Sequence, residues 1–163
     1  MAVELTAAPR EQTRARYTDA SGDVTRDGVR LHWEVYGSGE PTVLLLPTWS
    51  IIHSRHWKMQ IPYLARRCRV LTFDGRGNGR SDRPESGYEE PEFAADALAV
   101  MEATATESAV LVSLSLGAQR ALLLAAEHAD RVLAAAFIGP WFPASRLGGL
   151  RWRTMGHPRL RPC

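Results

Sequence analysis

Between Ala109 and Gln119 the chain reads AVLVSLSLGAQ. An apolar run stops at Ser115, which small residues flank, and a helix-like pattern begins. A serine hydroxyl is a weak nucleophile. It needs exposure, a base to take its proton and donors for the oxyanion that forms. A tight strand-to-helix turn supplies the first need and part of the third. It closes only where the residues two before and two after the serine are small, because the backbones nearly touch there. Ser113-Leu114-Ser115-Leu116-Gly117 meets that demand, with Ser113 where such turns usually carry glycine and Gly117 on the far side. The residue after the serine donates its backbone N–H from the start of a helix, where the dipole favours negative charge. The competing reading is that Ser115 only caps the helix.

The flanking sequence contains the elements such a turn requires. DVTRDGVRLHWEVY (23–36) alternates on both sides of Asp27-Gly28, the usual two-residue hairpin signal. TVLLLP (42–47), RVLTFD (69–74), AVLVS (109–113) and RVLAAAFIG (131–139) are short continuous apolar runs, as in buried parallel strands. Helical spacing marks HWKMQIPYLARR (56–67), with Pro62 expected to bend it. EPEFAADALAVMEATAT (90–106) carries Phe93, Ala97, Val100, Met101 and Ala105 on one face, and LGAQRALLLAAEHA (116–129) is a helix rich in Ala and Leu. A hairpin followed by strand–helix alternation argues for an α/β sheet, antiparallel at its start and parallel afterwards, with helices on both faces. Residues 1–17 read as a loose arm, 18–140 as the folded domain and 141–163 as an irregular tail.

Composition narrows the function classes. The 163 residues suffice for one domain, and 45% hydrophobic with 23% charged residues is ordinary for a globular protein. A net charge of +2 and a basic cluster confined to the tail after Arg146 give no nucleic-acid footprint. No apolar run reaches the roughly 18 residues of a membrane span. The N-terminus lacks the layout of a signal peptide, so a cytoplasmic location is expected. Cys68 and Cys163 form no disulfide framework, and the five histidines and two cysteines show no metal-ligand spacing, so neither metal nor cofactor is expected.

From Asp23 to Pro140 the chain resembles the N-terminal part of the α/β-hydrolase superfamily. The resemblance rests on DGVRLHWEVYG in the hairpin, VLLLPTW after the third strand, RVLTFDGRGNGRSDRP after the fourth, SLSLGA at the turn and ADRVLAAAFIGP at the sixth strand. It implies Ser115 as nucleophile and the Leu116 N–H as one oxyanion donor. The family commonly has His-Gly after the third strand; here the text is Pro47-Thr48-Trp49, which points to Trp49 as the second donor, with Thr48 the alternative. Asp74 is implied to shape a loop, and the glycines at 75, 77 and 79 to form a turn rather than a phosphate cradle. Haloalkane- and epoxide-processing relatives carry aspartate where Ser115 stands, so those chemistries are set aside.

The family order is Ser, then acid, then His. Ser115, Asp130 and His157 have that order, but Asp130 lies about 14 residues along a helix running away from Ser115, about 20 Å at 1.5 Å per residue. A triad acid must reach the base by a hydrogen bond. Asp130 is therefore expected in the turn before the sixth strand. His157 is the one candidate base the tail offers, and His53 and His56 are expected to cap a helix start. The chain reads as a C-terminally truncated hydrolase fold without triad acid and base. The expected function is hydrolysis of a small ester or similar acyl substrate. The alternatives are a non-catalytic binding or interaction module, or an inactive fragment of a longer hydrolase. The sixth strand, as an apolar edge, would invite self-association.

Overall fold

The computed structural model describes residues 16–49 and 52–140. Among the described residues six strands form one sheet: β1 (Ala20–Arg26), β2 (Val29–Tyr36), β3 (Thr42–Leu45), β4 (Arg69–Phe73), β5 (Ala109–Leu114) and β6 (Val132–Ile138). Their order is β1-β2-β4-β3-β5-β6. β1 with β2 and β2 with β4 run antiparallel, and every pair from β4 to β6 is parallel. The expected mixed sheet is therefore present. The arm over 1–15 and the tail over 141–163 lie outside the described residues. Among those residues no helix is long and apolar enough to cross a membrane.

The hairpin turns where Asp-Gly demands it. Asp27 and Gly28 both have positive φ, 49° and 77°, the pair of angles a type I′ turn requires. The residues of 56–67 depart from the single expected helix. They form a 3₁₀ turn, Ser54–Trp57, and a short helix α1, Gln60–Leu64. Pro62 does not bend α1. It occupies the first turn, where an N–H has no intrahelical acceptor, and a helix begun at 56 would have needed that N–H. Helix α2 (Glu90–Ala103) buries Phe93, Ala97, Val100 and Met101 as expected. Ala105 does not join them. It follows the Thr104 C-cap with φ 50°, past the end of the helix, and is exposed.

Helix α3 (Gly117–Glu127) packs beside α2 on one face of the sheet. Under the two helices Leu31, Leu44, Leu46, Leu71, Phe73, Leu111 and Leu124 join the α2 residues in one closed core. On the other face Trp57, Ile61 and Ala65 cover Tyr36, Val43, Leu45 and Val70. There Val110, Val112 and Leu114 of β5 are only partly buried. β6 ends the sheet among the described residues, with Leu133 58% and Ile138 48% exposed.

Two groups of charged side chains lock the loops around the closed core. Asp96, fully buried on α2, accepts from Arg76 Nε and Nη2, both at 2.7 Å, and from Arg26 Nε at 2.8 Å. Arg26 also pairs with Glu92. One carboxylate thus joins β1, the loop after β4 and α2. Asp74 performs the loop role expected of it. Its Oδ1 accepts from the Ser54 amide at 2.8 Å and its Oδ2 from the Arg80 amide at 2.9 Å. Burial pushes the Asp74 carboxyl up, but the hydrogen bonds from Ser54 and Arg80 prevail and hold it below the ordinary carboxylate range. Gly79 is required beside it, since its φ is +50° and a Cβ there would lie 1.9 Å from Asp74 Oδ2.

Candidate active site at the turn between β5 and α3

β5 delivers Ser115 to the end of the sheet and α3 starts two residues later. Ser115 is exposed and has φ 52°, a left-handed conformation that costs a non-glycine residue about 1–2 kcal/mol. Its amide donates to the Ile138 carbonyl of β6 at 2.9 Å, and its carbonyl accepts from the Ala118 amide at 3.1 Å. A residue serving only as a helix cap has extended backbone and needs no such angle.

The demand for small neighbours is explicit in the packing. A Cβ on Gly117 would lie 2.9 Å from the Pro47 carbonyl oxygen and 3.6 Å from Ser113 Cβ. Ser113 is fully buried, and its hydroxyl donates to the Ala136 carbonyl at 3.3 Å. That bond gives a buried hydroxyl a partner at a position where glycine would bring none. Leu116 is the N-cap of α3 and Gly117 its first residue, and the first amides of a helix have no intrahelical acceptors.

A cavity of about 490 Å³ opens over this turn, lined by Thr48, Trp49, Ile52, Leu114, Ser115 and Leu116. Trp49 is 58% exposed at its rim. The sequence candidates Ser115, Leu116, Trp49 and Thr48 are thus brought together. Thr48 is buried, and its hydroxyl donates to the Leu114 carbonyl at 2.7 Å.

Other candidates lie elsewhere. Asp130 is exposed in the 3₁₀ turn Ala129–Arg131, after α3 has run its length away from Ser115. His53 accepts the Arg55 amide at 3.1 Å, capping the first 3₁₀ turn. His56 Nδ1 lies 3.0 Å from the His53 carbonyl, and its Nε2 is buried without a partner among the described residues. Burial lowers the His56 pKa. Neither histidine is among the described residues lining the cavity. His157 falls outside the described residues.

Arg120 was missed in the sequence. It sits inside α3, 1% exposed, with its guanidinium carbon 3.7 Å from the centre of the Phe93 ring. Its Nε donates to Glu90 Oε2 at 2.9 Å, and its Nη1 to the carbonyls of Pro47 at 3.0 Å and Thr48 at 2.5 Å. The available signal was an arginine between Leu116 and Leu124, each four residues away on the apolar face.

Strand order and turn together define an α/β-hydrolase-type fold. Comparison with known proteins agrees: the alpha/beta hydrolase fold family matches residues 41–153. This chain belongs to that family. It is 34% identical over 115 residues to a non-heme haloperoxidase of Rhodococcus erythropolis, covering 69% of this chain and 41% of that protein. It is 35% identical over 99 residues to a 2-(acetamidomethylene)succinate hydrolase of Mesorhizobium japonicum, covering 60% and 36%. Among solved structures it resembles Est816, described as an N-acyl homoserine lactone degrading enzyme, with TM-score 0.68 and 32% identity, over 73% of this chain and 45% of that one. The chain spans less than half the length of these relatives.

Proposed function

We propose that this chain carries the nucleophile half of a serine hydrolase acting on an ester or similar acyl bond. The observation that carries the reading is Ser115, exposed at φ 52° in a strand-to-helix turn on the floor of the cavity. Ser115 Oγ attacks the acyl carbon and loses its proton to a base. The amides of Leu116 and Trp49 face the oxyanion. The C–O bond to the leaving group breaks, the alcohol departs with a proton, and water releases the acyl group from Ser115. Among the described residues the cavity lining has no charged side chain, which favours an uncharged, apolar acyl group. The lactone in the description of Est816 fits the same reaction class.

The base and acid are the open positions. Asp130 stands beyond the far end of α3, and His53 and His56 are committed to the first 3₁₀ turn. That observation favours a second reading, a binding module using the cavity without turnover. Hydrolysis of p-nitrophenyl acetate by the full chain, beside Ser115→Ala, separates the two. Turnover that Ser115→Ala abolishes supports the hydrolase, with His157 the next residue to replace. Equal, background rates for both proteins exclude it and leave the binding module.

A further inference from the structure

We propose that Arg120 is a positioning residue for the oxyanion site, aiming the Trp49 N–H by holding the carbonyl of the same peptide group. The proposal deepens the hydrolase reading and rests on Ser115 being the nucleophile. A trans peptide is planar, so its C=O and N–H point in opposite directions. The Thr48 carbonyl points at Arg120 Nη1, 2.5 Å away in the interior. The N–H of that peptide belongs to Trp49 and therefore points away from Arg120. Thr48 and Trp49 line the cavity with Ser115, whereas Arg120 is buried behind them.

The bond has a fixed frame behind it. Arg120 is five residues after Ser115 on α3, so the helix that presents the Leu116 amide also orients the loop bearing the second donor. Glu90 of α2 grips the opposite edge of the guanidinium, and Phe93 of α2 lies against its face. The loop is tied once more, by the Thr48 hydroxyl on the Leu114 carbonyl. A buried charge is costly unless paired and hydrogen-bonded, and an apolar side chain would fill this site without that cost. Here the charge is spent on the two loop carbonyls. Lysine cannot replace it fully, because an ammonium lacks the planar fork that reaches Glu90 and the loop together.

The test uses the full chain and a p-nitrophenyl alkylphosphonate, which modifies an activated serine and leaves its phosphoryl oxygen in the oxyanion site. Modification of Ser115 is followed by mass, and the Trp49 and Leu116 amides by ¹H–¹⁵N NMR. Loss of one oxyanion donor costs about 10²–10³-fold in rate, so a misdirected donor should slow modification about 10- to 100-fold. That is the expectation for Arg120→Met. Arg120→Lys should fall between it and the native protein, and the Trp49 amide should shift in both. Arg131→Met is the control, since Arg131 donates to the Thr106 and Glu107 carbonyls on the side away from Ser115. It should leave the rate and the Trp49 amide unchanged. If Arg120→Met does not fold, Glu90→Gln releases one edge of the guanidinium and should slow modification a few-fold with a smaller Trp49 shift. A folded Arg120 or Glu90 variant that reacts at the native rate with an unmoved Trp49 amide overturns the proposal. If the native chain is not modified, the nucleophile reading fails. The Trp49 amide alone then decides the positioning role: displaced in Arg120→Met but not in Arg131→Met, or the role is absent.

Discussion

The two faces of the sheet are built to different standards. Beneath α2 and α3, Leu44, Leu71, Leu111 and Leu124 are sealed from solvent, and Asp96 is fully buried between two arginines. On the other face, among the described residues, one short helix and a 3₁₀ turn cover only part of the strands. A second cavity of about 300 Å³ remains there between Leu45, Trp57, Met59, Tyr63, Val112 and Ile138. Met59 and Tyr63 at its margin are 59% and 65% exposed. Consecutive β5 residues feel the contrast directly, since side chains alternate across a sheet and Leu111 is sealed where Val112 is not. The closed face carries the stability that a strained turn at its edge draws upon.

Asp96→Ala should be the most damaging change. It leaves Arg76 and Arg26 without their shared carboxylate, and breaking a buried pair costs about 3–5 kcal/mol. Urea unfolding should show that loss, and a midpoint within error of native would mean the network is not buried as described. The next test sets neighbours against each other. Leu111→Ala should cost about 2–5 kcal/mol, while Val112→Ala should cost under about 1 kcal/mol, because its side chain already meets partial solvent. Equal losses would erase the distinction between the faces.

A smaller effect is pH-dependent. The Asp74 carboxyl is held below its usual 3.8 in the folded chain. A depressed carboxyl contributes stability that is complete above the unfolded pKa and is lost as pH falls through the folded pKa. Stability should therefore decline below about pH 4, and Asp74→Asn should flatten that limb while lowering stability at neutral pH. An unchanged acid limb would remove Asp74 from the account. The smallest effect concerns the open patch. Tyr63→Gln should change stability by under about 0.5 kcal/mol but reduce binding of an apolar fluorescent dye. Strong dye binding that survives the change would place the exposed apolar surface elsewhere.

Much of this arrangement was legible because local chemistry dictated it. Asp27-Gly28 specified the hairpin turn, the four apolar runs specified the parallel strands, and the small residues around Ser115 specified the turn that exposes it. The short helix α1 was misread because helical spacing in 56–67 says nothing of which N–H groups Pro62 removes. Ala105 fitted a helical face in sequence but falls beyond a cap that only the folded chain defines. Arg120 escaped notice because an arginine in an Ala- and Leu-rich helix reads as a solvated face. Its partners, Glu90, Phe93, Pro47 and Thr48, come from distant segments that only the fold assembles. The same holds for Asp96, whose two arginines lie on β1 and the loop after β4.

The bond from the Ser115 amide to the Ile138 carbonyl joins the turn to β6, which ends the sheet among the described residues. Strands at an edge fray more readily than those inside. Each time the end of β6 opens, the turn loses a support that holds its left-handed angle. Any rate that depends on Ser115 is then scaled by the fraction of time β6 is closed, and about 1.4 kcal/mol separates each tenfold step in that open–closed equilibrium. The exchange rate of a single amide proton, that of Ser115, thus serves as a clock for how long the turn stays assembled.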